Sequence, residues 1–366
     1  MRLLQEGEAI HGEYKVERFL GEGAFAEVYR VKHSVLGRQA MKVFKTPGSY
    51  DETIQALGEA IMLSQMGHRN IIRVFNAGIM ETNKGQRGFF TMEYVAGGSL
   101  QQFWQSFGDQ FVPTDVAVGI LRQVCDGLTL AHDEDPPIIH RDIKPQNILV
   151  GYDARGLRAC VSDFGLAKRV NPLMLAASSR GTRCFKAPET FVDPMSDSCA
   201  GDVWALGLTL YLLLTDRFPY SGADLDALDY RSFERPMIPA SRLNIQIDPE
   251  LDQILYRALA VKREERYPNS KEMLADLNRW EPRIPESNIK QKANLSSQMS
   301  KSVFGLPSPA DEAKAREMAT QALLLSKQRA KLREAADLME EAFNKWPDLR
   351  EEYERHLKLW RCGIVM

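Results

Sequence analysis

The sequence predicts an α+β protein in two parts, a small antiparallel β-rich part followed by a larger helical part. Residues 14–46 alternate apolar and polar side chains between turn signals, and residues 69–95 hold two further strands around a polar turn. One helix with apolar residues at spacings of three and four is predicted over residues 51–66. From Leu100 to Leu277 the spacing of apolar residues is mainly helical.

Each predicted element has its own local signal. Turn residues around Gly21–Gly23 and Val35–Arg38 separate three strands in the first part. In the second part, Val203–Leu214 is the longest apolar run, VWALGLTLYLLL. A bilayer needs about 20 apolar residues, so this run predicts a buried core helix and not a membrane span.

Bulk composition narrows the class of protein. The 366 residues are 44% hydrophobic and 26% charged, which is typical of a soluble globular protein with two or three units. A net charge of −2 gives no electrostatic reason to expect nucleic acid or an anionic membrane as a partner. The five cysteines lack metal-site spacing and are expected to be free thiols in a reducing, cytoplasmic setting. Acidic residues near the start argue against a signal peptide.

A polar loop directly before an apolar strand carries the first chemical signal. Residues 140–147, HRDIKPQN, bring an acid, a base and an amide together at Asp142, Lys144 and Asn147. Pro145 prevents a regular helix through them, so a rigid loop is predicted. Such loops either cap structure or hold chemistry.

Other motifs surround this loop in a fixed order. A glycine hairpin precedes Lys42 in a strand and Glu59 on the helix, and the sequences DFG from Asp163 and APE from Ala187 follow the loop. Each alone has an ordinary structural explanation, such as a tight turn or an exposed edge lysine. No helix follows the glycines, which argues against a dinucleotide-binding fold. The ordered set has no structural explanation.

Residues 14–280 resemble a eukaryotic-type protein kinase domain, with an N-lobe over 14–95 and a C-lobe over 96–280. Residues 1–13 are then an N-terminal extension. The LysPro of HRDIKPQN is similar to the serine/threonine branch, and the compact layout resembles bacterial members. The resemblance implies a bilobal kinase fold that transfers the γ-phosphoryl group of MgATP to Ser/Thr hydroxyls of protein substrates, with autophosphorylation on the activation segment.

The resemblance also implies residue roles. Asp142 would accept or orient the substrate proton, and Lys144 would stabilise the transferring phosphoryl group. Lys42, held by Glu59, would contact the α- and β-phosphates. The metal Mg²⁺ is assigned to Asn147 and Asp163. The implied ATP-binding residues are Leu20, Gly21, Glu22, Gly23, Val28, Ala40, Lys42, Met92, Glu93, Val95 and Leu149.

Some positions support the family pattern and others depart from it. The resemblance implies a buried ion pair between Glu189 and Arg266, and a cap on the catalytic loop from Asp202. Ala26 replaces the third glycine of the hairpin, which should soften phosphate binding without abolishing it. Arg141 is expected to bind a phosphate on Ser178 or Ser179; ordinary loop serines are the alternative.

The C-terminal region changes character. Residues 281–310 are rich in Pro and Ser and predict a flexible linker, and residues 311–366 predict a helical tail. Ala335, Met339, Ala342 and Pro347 match the second helix of a tetratricopeptide-like repeat. Because one repeat cannot form an independent core, the tail would pack on the kinase, self-associate or complete a partner's array. An exposed helical hairpin is the remaining alternative.

Two other classes of function fit part of this pattern. A pseudokinase scaffold would bind nucleotide without turnover, but such proteins usually lack one of the groups that Lys42, Asp142 and Asp163 supply here. A small-molecule phosphotransferase would not need Thr182 and Arg266, which match the peptide-binding helical lobe. An active protein kinase is therefore the favoured hypothesis.

Overall fold

The structure is a computed structural model that describes residues 2–108, 110–164, 183–220, 230–282 and 309–365, with side chains of the last range from 311 onward. It contains two compact units, one from residues 1–95 and 162–180 and the other from residues 96–161 and 181–366.

The first unit is built on a six-stranded antiparallel sheet and a helix. The elements are β1 Ala9–Ile10, β2 Tyr14–Glu22, β3 Ala26–His33, β4 Gly37–Phe44, α1 Tyr50–Met66, β5 Val74–Thr82 and β6 Gly85–Glu93. The strands lie in the order β1-β2-β3-β4-β6-β5. Helix α1 begins after Ser49, whose side chain and that of Glu52 cap each other's backbone N–H groups, and it ends at Gly67 with φ of +72°.

The first residues of the chain are part of this sheet. The sequence predicted five strands, and the sixth is β1, which pairs with β2 and is too short to give a periodic signal. Leu3 and Leu4 are buried in the same core as the sheet. The backbone N–H of Leu3 donates to Oε2 of the buried Glu27 at 2.9 Å. The segment predicted to be an extension therefore stabilises the sheet.

The second unit is mainly helical, with one antiparallel hairpin that the sequence predicted only in its first strand. The predicted core helix is confirmed, because almost every residue of the helix Cys199–Thr215 is buried. The elements are α2 Leu100–Gln105, α3 Thr114–His132, β7 Ile148–Asp153, β8 Gly156–Val161, α4 Cys199–Thr215, α5 Pro249–Ala258, α6 Ser270–Arg279, α7 Pro309–Ser326, α8 Leu332–Lys345 and α9 Leu349–Arg361.

The C-terminal helices belong to the second unit and form a core of their own that contacts β7. Tyr152 of β7 packs against this core, and its ring meets that of Phe343 edge-on at 6.1 Å. Of the outcomes predicted for the tail, packing on the rest of the chain is the one observed. The core residues from the tail are Ala315, Ala319, Ala322, Leu332, Ala335, Ala336, Met339, Ala342, Phe343, Leu349, Leu357 and Trp360.

Two further predictions, the flexible linker and the absence of a membrane span, can be compared only with the described ranges. Most of the predicted linker, residues 283–308, lies outside them. Within them, every helix is too short or too polar to cross a lipid bilayer.

Candidate active site

Four of the predicted nucleotide-binding side chains lie on one face of the sheet in the first unit. Val28 lies opposite Lys42, and Ala40 lies opposite Met92. Since residues opposite each other, and residues two apart in one strand, project to the same side of a sheet, these four side chains share a face.

The glycine hairpin leads into this face. Gly21 lies opposite Val28, and Leu20 falls at a bulge just before it. The N–H of Gly23 donates to the carbonyl of Ala26 at 2.9 Å and closes the turn, with Glu22 and Gly23 exposed. Ala26 is buried and pairs in register with Phe44, so the residue that replaces the third glycine lies in an ordinary strand.

The other predicted contacts of the base lie at the end of β6 and in β7. Glu93 is the last residue of β6, lies opposite Gln39, and its N–H donates to the carbonyl of Arg73 at 2.9 Å. Val95 follows this strand in the chain. Leu149, in the second unit, lies in β7 opposite Cys160 and is half-buried.

Lys42 forms a close ion pair with Asp163. Its Nζ lies 2.6 Å from Asp163 Oδ2, and both side chains are mostly buried. Glu59, the partner predicted from the sequence, is half-buried on α1. The pairing of Lys42 with Glu59 stays a prediction, because the contact that the structure shows for Lys42 is with Asp163.

Asp163 has the features of a metal ligand. Its backbone is left-handed, with φ of +67°, which is uncommon outside glycine. Its Oδ1 is buried and accepts no hydrogen bond from the residues that the structure describes. A buried carboxylate oxygen without a donor is costly unless a cation or solvent satisfies it, so Asp163 fits the magnesium assigned to it.

In the second unit, the catalytic-loop motif forms one hydrogen-bonded cluster. Lys144 Nζ lies 2.8 Å from Asp142 Oδ2 and 3.0 Å from Oδ1. The amide nitrogen of Asn147 donates to Asp142 Oδ2 at 2.9 Å and to its carbonyl at 2.8 Å. The spacing in HRDIKPQN thus fixes the carboxylate from two sides, and Asn147 Oδ1 is the atom that would hold a metal.

Asp202 holds this loop in place from the start of α4. Its carboxylate accepts the backbone N–H groups of His140 at 2.7 Å and Arg141 at 2.9 Å. It also lies 3.1 Å from His132 Nε2. Burial opposes ionisation, but the bonds from His132 and His140 prevail and hold the pKa of Asp202 below its ordinary value. The predicted cap is confirmed.

His132 and Ser270 complete this arrangement and were missed in the sequence. Nδ1 of His132 accepts the backbone N–H of Ser270 at 3.2 Å, which orients the ring toward Asp202. His132 ends α3 with no motif around it, so only the tertiary structure reveals its role.

The ion pair predicted between Glu189 and Arg266 is present. Arg266 donates to both carboxylate oxygens, at 2.9 and 2.5 Å, and also to the carbonyls of Ala260 and Val261. The guanidinium is fully buried, and this fork geometry joins the APE segment to the loop before α6.

Arg141, predicted to bind a phosphate, lines a small pocket with Asp142, Lys186 and Asp197. Its Nε lies 3.5 Å from Asp197 Oδ2, and Lys186 Nζ donates to its carbonyl at 2.8 Å. Burial raises the pKa of Asp197 above its ordinary value. Ser178, Ser179 and Thr182 lie outside the described residues.

Comparison with known proteins agrees with this architecture. Residues 14–277 match the model of the protein kinase domain. The chain is 30% identical over 277 residues to the serine/threonine-protein kinase PknB of Mycolicibacterium smegmatis, covering 74% of this chain and 43% of the relative. It is 27% identical over 281 residues to a probable PknB of Lactococcus lactis, covering 75% and 43%.

A solved structure shows the same fold. The kinase domain of PknI from Mycobacterium tuberculosis aligns with a TM-score of 0.56 at 26% identity, covering 75% of this chain and 99% of that domain. The fold is thus that of a protein kinase, with a β-rich first unit and a helical second unit.

The chain belongs to the protein kinase domain family and is similar to the eukaryotic-type serine/threonine kinases of bacteria. It spans less than half the length of the curated relatives that it matches. The matched region ends before α7, so the three tail helices lie outside the family model.

Proposed function

We propose that this protein is a serine/threonine protein kinase that transfers the γ-phosphoryl group of MgATP to hydroxyl groups of protein substrates. The observation that carries the proposal is the Asp142 carboxylate, which Lys144 and Asn147 hold between them. A carboxylate fixed in this way can accept the proton of an incoming hydroxyl. Family membership supports the same activity.

Each polar group then has one task. Asp142 orients the substrate hydroxyl and takes its proton, and Lys144 stabilises negative charge on the transferring phosphoryl group. Lys42 contacts the α- and β-phosphates, and Asp163 gives its mostly buried ammonium group a carboxylate partner.

Asn147 and Asp163 would hold Mg²⁺, which neutralises phosphate charge when bound. The buried Oδ1 of Asp163 supports this assignment. The face formed by Val28, Ala40 and Met92 supplies the apolar surface that an adenine ring requires.

A nucleotide-binding scaffold without turnover is the competing function. Pseudokinases usually lose one of the groups corresponding to Lys42, Asp142 or Asp163. Here Lys42 and Asp163 form an ion pair, and Asp142 carries the hydrogen bonds of a positioned base. These contacts support catalysis over scaffolding.

The test is phosphoryl transfer from labelled ATP and Mg²⁺ by the purified chain and by Asp142→Asn. We expect the variant to lose about 100-fold or more of the wild-type rate, because the amide cannot accept the proton. Phosphoamino-acid analysis of the product should show phosphoserine or phosphothreonine.

The matched control is Asp133→Asn. Asp133 forms an ion pair with Lys271 in which both side chains are largely exposed. Because such a pair contributes little to stability, the variant should transfer phosphate at the wild-type rate. Equal labelling by wild type and Asp142→Asn, or none by either, would reject the kinase assignment in favour of the scaffold.

Protein substrates and a cytoplasmic setting belong to the same proposal. Mapping phosphate on the chain itself would test autophosphorylation at Ser178 or Ser179. Self-association or partner binding through residues 311–366 stays a prediction.

A further inference from the structure

The tail contacts the rest of the second unit through one buried carboxylate. Glu340 of α8 is 1% exposed. Its Oε2 accepts the backbone N–H of Gly97 at 3.1 Å, and its Oε1 accepts that of Tyr152 at 3.2 Å. Arg361 of α9 neutralises it, with Nη2 at 2.6 Å from Oε1. The tail therefore holds two separate backbone segments through one buried carboxyl group.

Gly97 is bound on both of its backbone groups. Besides the N–H held by Glu340, its carbonyl accepts a hydrogen bond from Nδ2 of Asn344, one turn further along α8. A Cβ at Gly97 would collide with the carbonyl oxygen of Val150, so this glycine permits close packing on β7. The carbonyl of Gly98 in turn accepts the N–H of Val150 at 2.9 Å.

A second contact adds to this attachment on α2. The guanidinium of Arg350 lies 4.5 Å from the ring centre of Phe103 and 5.4 Å from that of Phe107. Its Nη2 lies 3.4 Å from Ser106 Oγ. Arg350 is half-buried, and burial lowers its pKa from the ordinary value. The helices α8 and α9 thus contact α2, β7 and the residues that precede α2.

The two segments that Glu340 holds are adjacent in sequence to predicted nucleotide contacts. Gly97 follows closely on Glu93 and Val95, and Tyr152 lies in the strand that carries Leu149. The base Asp142 depends instead on Lys144, Asn147 and Asp202 for its position. Loss of the tail contacts should consequently weaken nucleotide affinity more than it slows the phosphoryl-transfer step.

We propose that α8 is a positioning element for nucleotide binding, acting through Glu340 and Asn344 on the backbone of Gly97 and Tyr152. This rests on the proposed function, since the segments matter because they hold ATP. The tail then keeps the backbone of Gly97 and Tyr152 in one conformation. Because this backbone is already ordered, less conformational entropy is lost when the nucleotide binds.

The test compares the full-length chain with Glu340→Gln and Asn344→Ala. Affinity for a fluorescent ADP analogue with Mg²⁺ is measured by titration, and the KM for ATP and kcat are measured separately. We expect each variant to weaken nucleotide binding and raise KM by about tenfold, as expected for one lost hydrogen bond to a charged or buried group. The kcat should change less than about threefold.

Glu334→Gln is the matched control, because Glu334 is an exposed glutamate on the same helix. It should bind the analogue as wild type does. Thermal unfolding of each variant shows that the chain is folded, and Asn344→Ala decides the case if Glu340→Gln does not fold.

Three results would overturn the inference. Wild-type nucleotide affinity in both variants would show that the tail contacts have no effect on nucleotide binding. A fall in kcat equal to the rise in KM would show a general structural role. A wild-type chain that binds no nucleotide would overturn this inference and the proposed function together, whereas binding without phosphoryl transfer would overturn the proposed function alone.

Discussion

Asp163 and Arg141 both hold a left-handed backbone, with φ of +67° and +69°. For a residue with a Cβ this conformation costs on the order of 1–3 kcal/mol, so neighbouring contacts must offset it. The ion pair with Lys42 does so for Asp163, and the hydrogen bond to Asp202 does so for Arg141. In each case a charged group fixes a strained backbone next to the predicted chemistry.

The contribution of Glu340 to the unfolding free energy should depend on pH. Burial raises its pKa to about 7, against the opposing effect of Arg361. The other groups that face it are Asp337, whose charge raises the pKa further, and the N–H groups of Gly97 and Tyr152. The folded protein therefore binds a proton that the unfolded chain releases at lower pH.

Because the folded pKa is the higher one, protonation of Glu340 stabilises the fold fully below about pH 4.5 and this stabilisation is lost as pH rises through about 7. Relative to Glu340→Gln, which cannot titrate, the wild type should lose up to about 3 kcal/mol of unfolding free energy over this window. Denaturant unfolding of both proteins at several pH values measures the difference. A constant difference would contradict the shift.

Residues within one short motif are predictable from their spacing, whereas the remote pairs Glu189–Arg266 and Asp202 with the 140–147 loop were expected only from the family resemblance. The spacing of Asp142, Lys144 and Asn147 predicts a cluster because the three lie in one loop. Lys42 has two candidate carboxylates, Glu59 and Asp163, and no local pattern gives their distances. Glu340 is conspicuous afterwards as an acidic residue among buried positions of α8, yet the backbone N–H groups that donate to it lie far away in the chain.

At the scale of elements, the contact between α4 and α5 depends on a glycine. A Cβ on Gly207 would lie 2.7 Å from the Cβ of Ala258 and 3.3 Å from Cγ of Leu259. We expect Gly207→Ala to destabilise the second unit by about 1–3 kcal/mol, because the core must shift to admit the methyl group. Thermal unfolding measures the effect.

Gly119→Ala on α3 provides the comparison. Nothing lies within 4 Å of a Cβ placed there, so the gain in helix propensity should leave the protein as stable or more stable by up to about 1 kcal/mol. If the two alanine variants melt at the same temperature, the packing argument for Gly207 is wrong.

Elements with strong periodicity were predictable, and those without it were not. The strands β2–β6, helix α1 and helix α4 each follow an apolar pattern long enough to define them. Strand β1 has two residues, and β8 lies in a region dominated by helical spacing. The tail helices were expected from composition, but their attachment to Gly97 and Tyr152 is a tertiary contact.

At the scale of the whole molecule, each unit has a core of its own. In the first unit, the cluster of Leu3, Leu4, Tyr14, Tyr29 and Met41 joins the N-terminal segment to the sheet. In the second, the buried residues of the tail helices form one cluster, and the buried residues of α4 are not part of it. Stability should therefore be divided between the units, and a core substitution in one should leave the other protected.

Leu4→Ala tests this division. Leu4 is 1% exposed, and truncating it should cost the first unit about 2–5 kcal/mol through lost burial and the cavity left behind. Amide hydrogen exchange in β2, β3 and β4 should accelerate, while exchange in α4 stays at its wild-type rate. Val35→Ala, at a side chain that is 84% exposed, should change neither. Equal acceleration in α4 and the sheet would mean that the two units unfold together and that the N-terminal segment stabilises the whole protein.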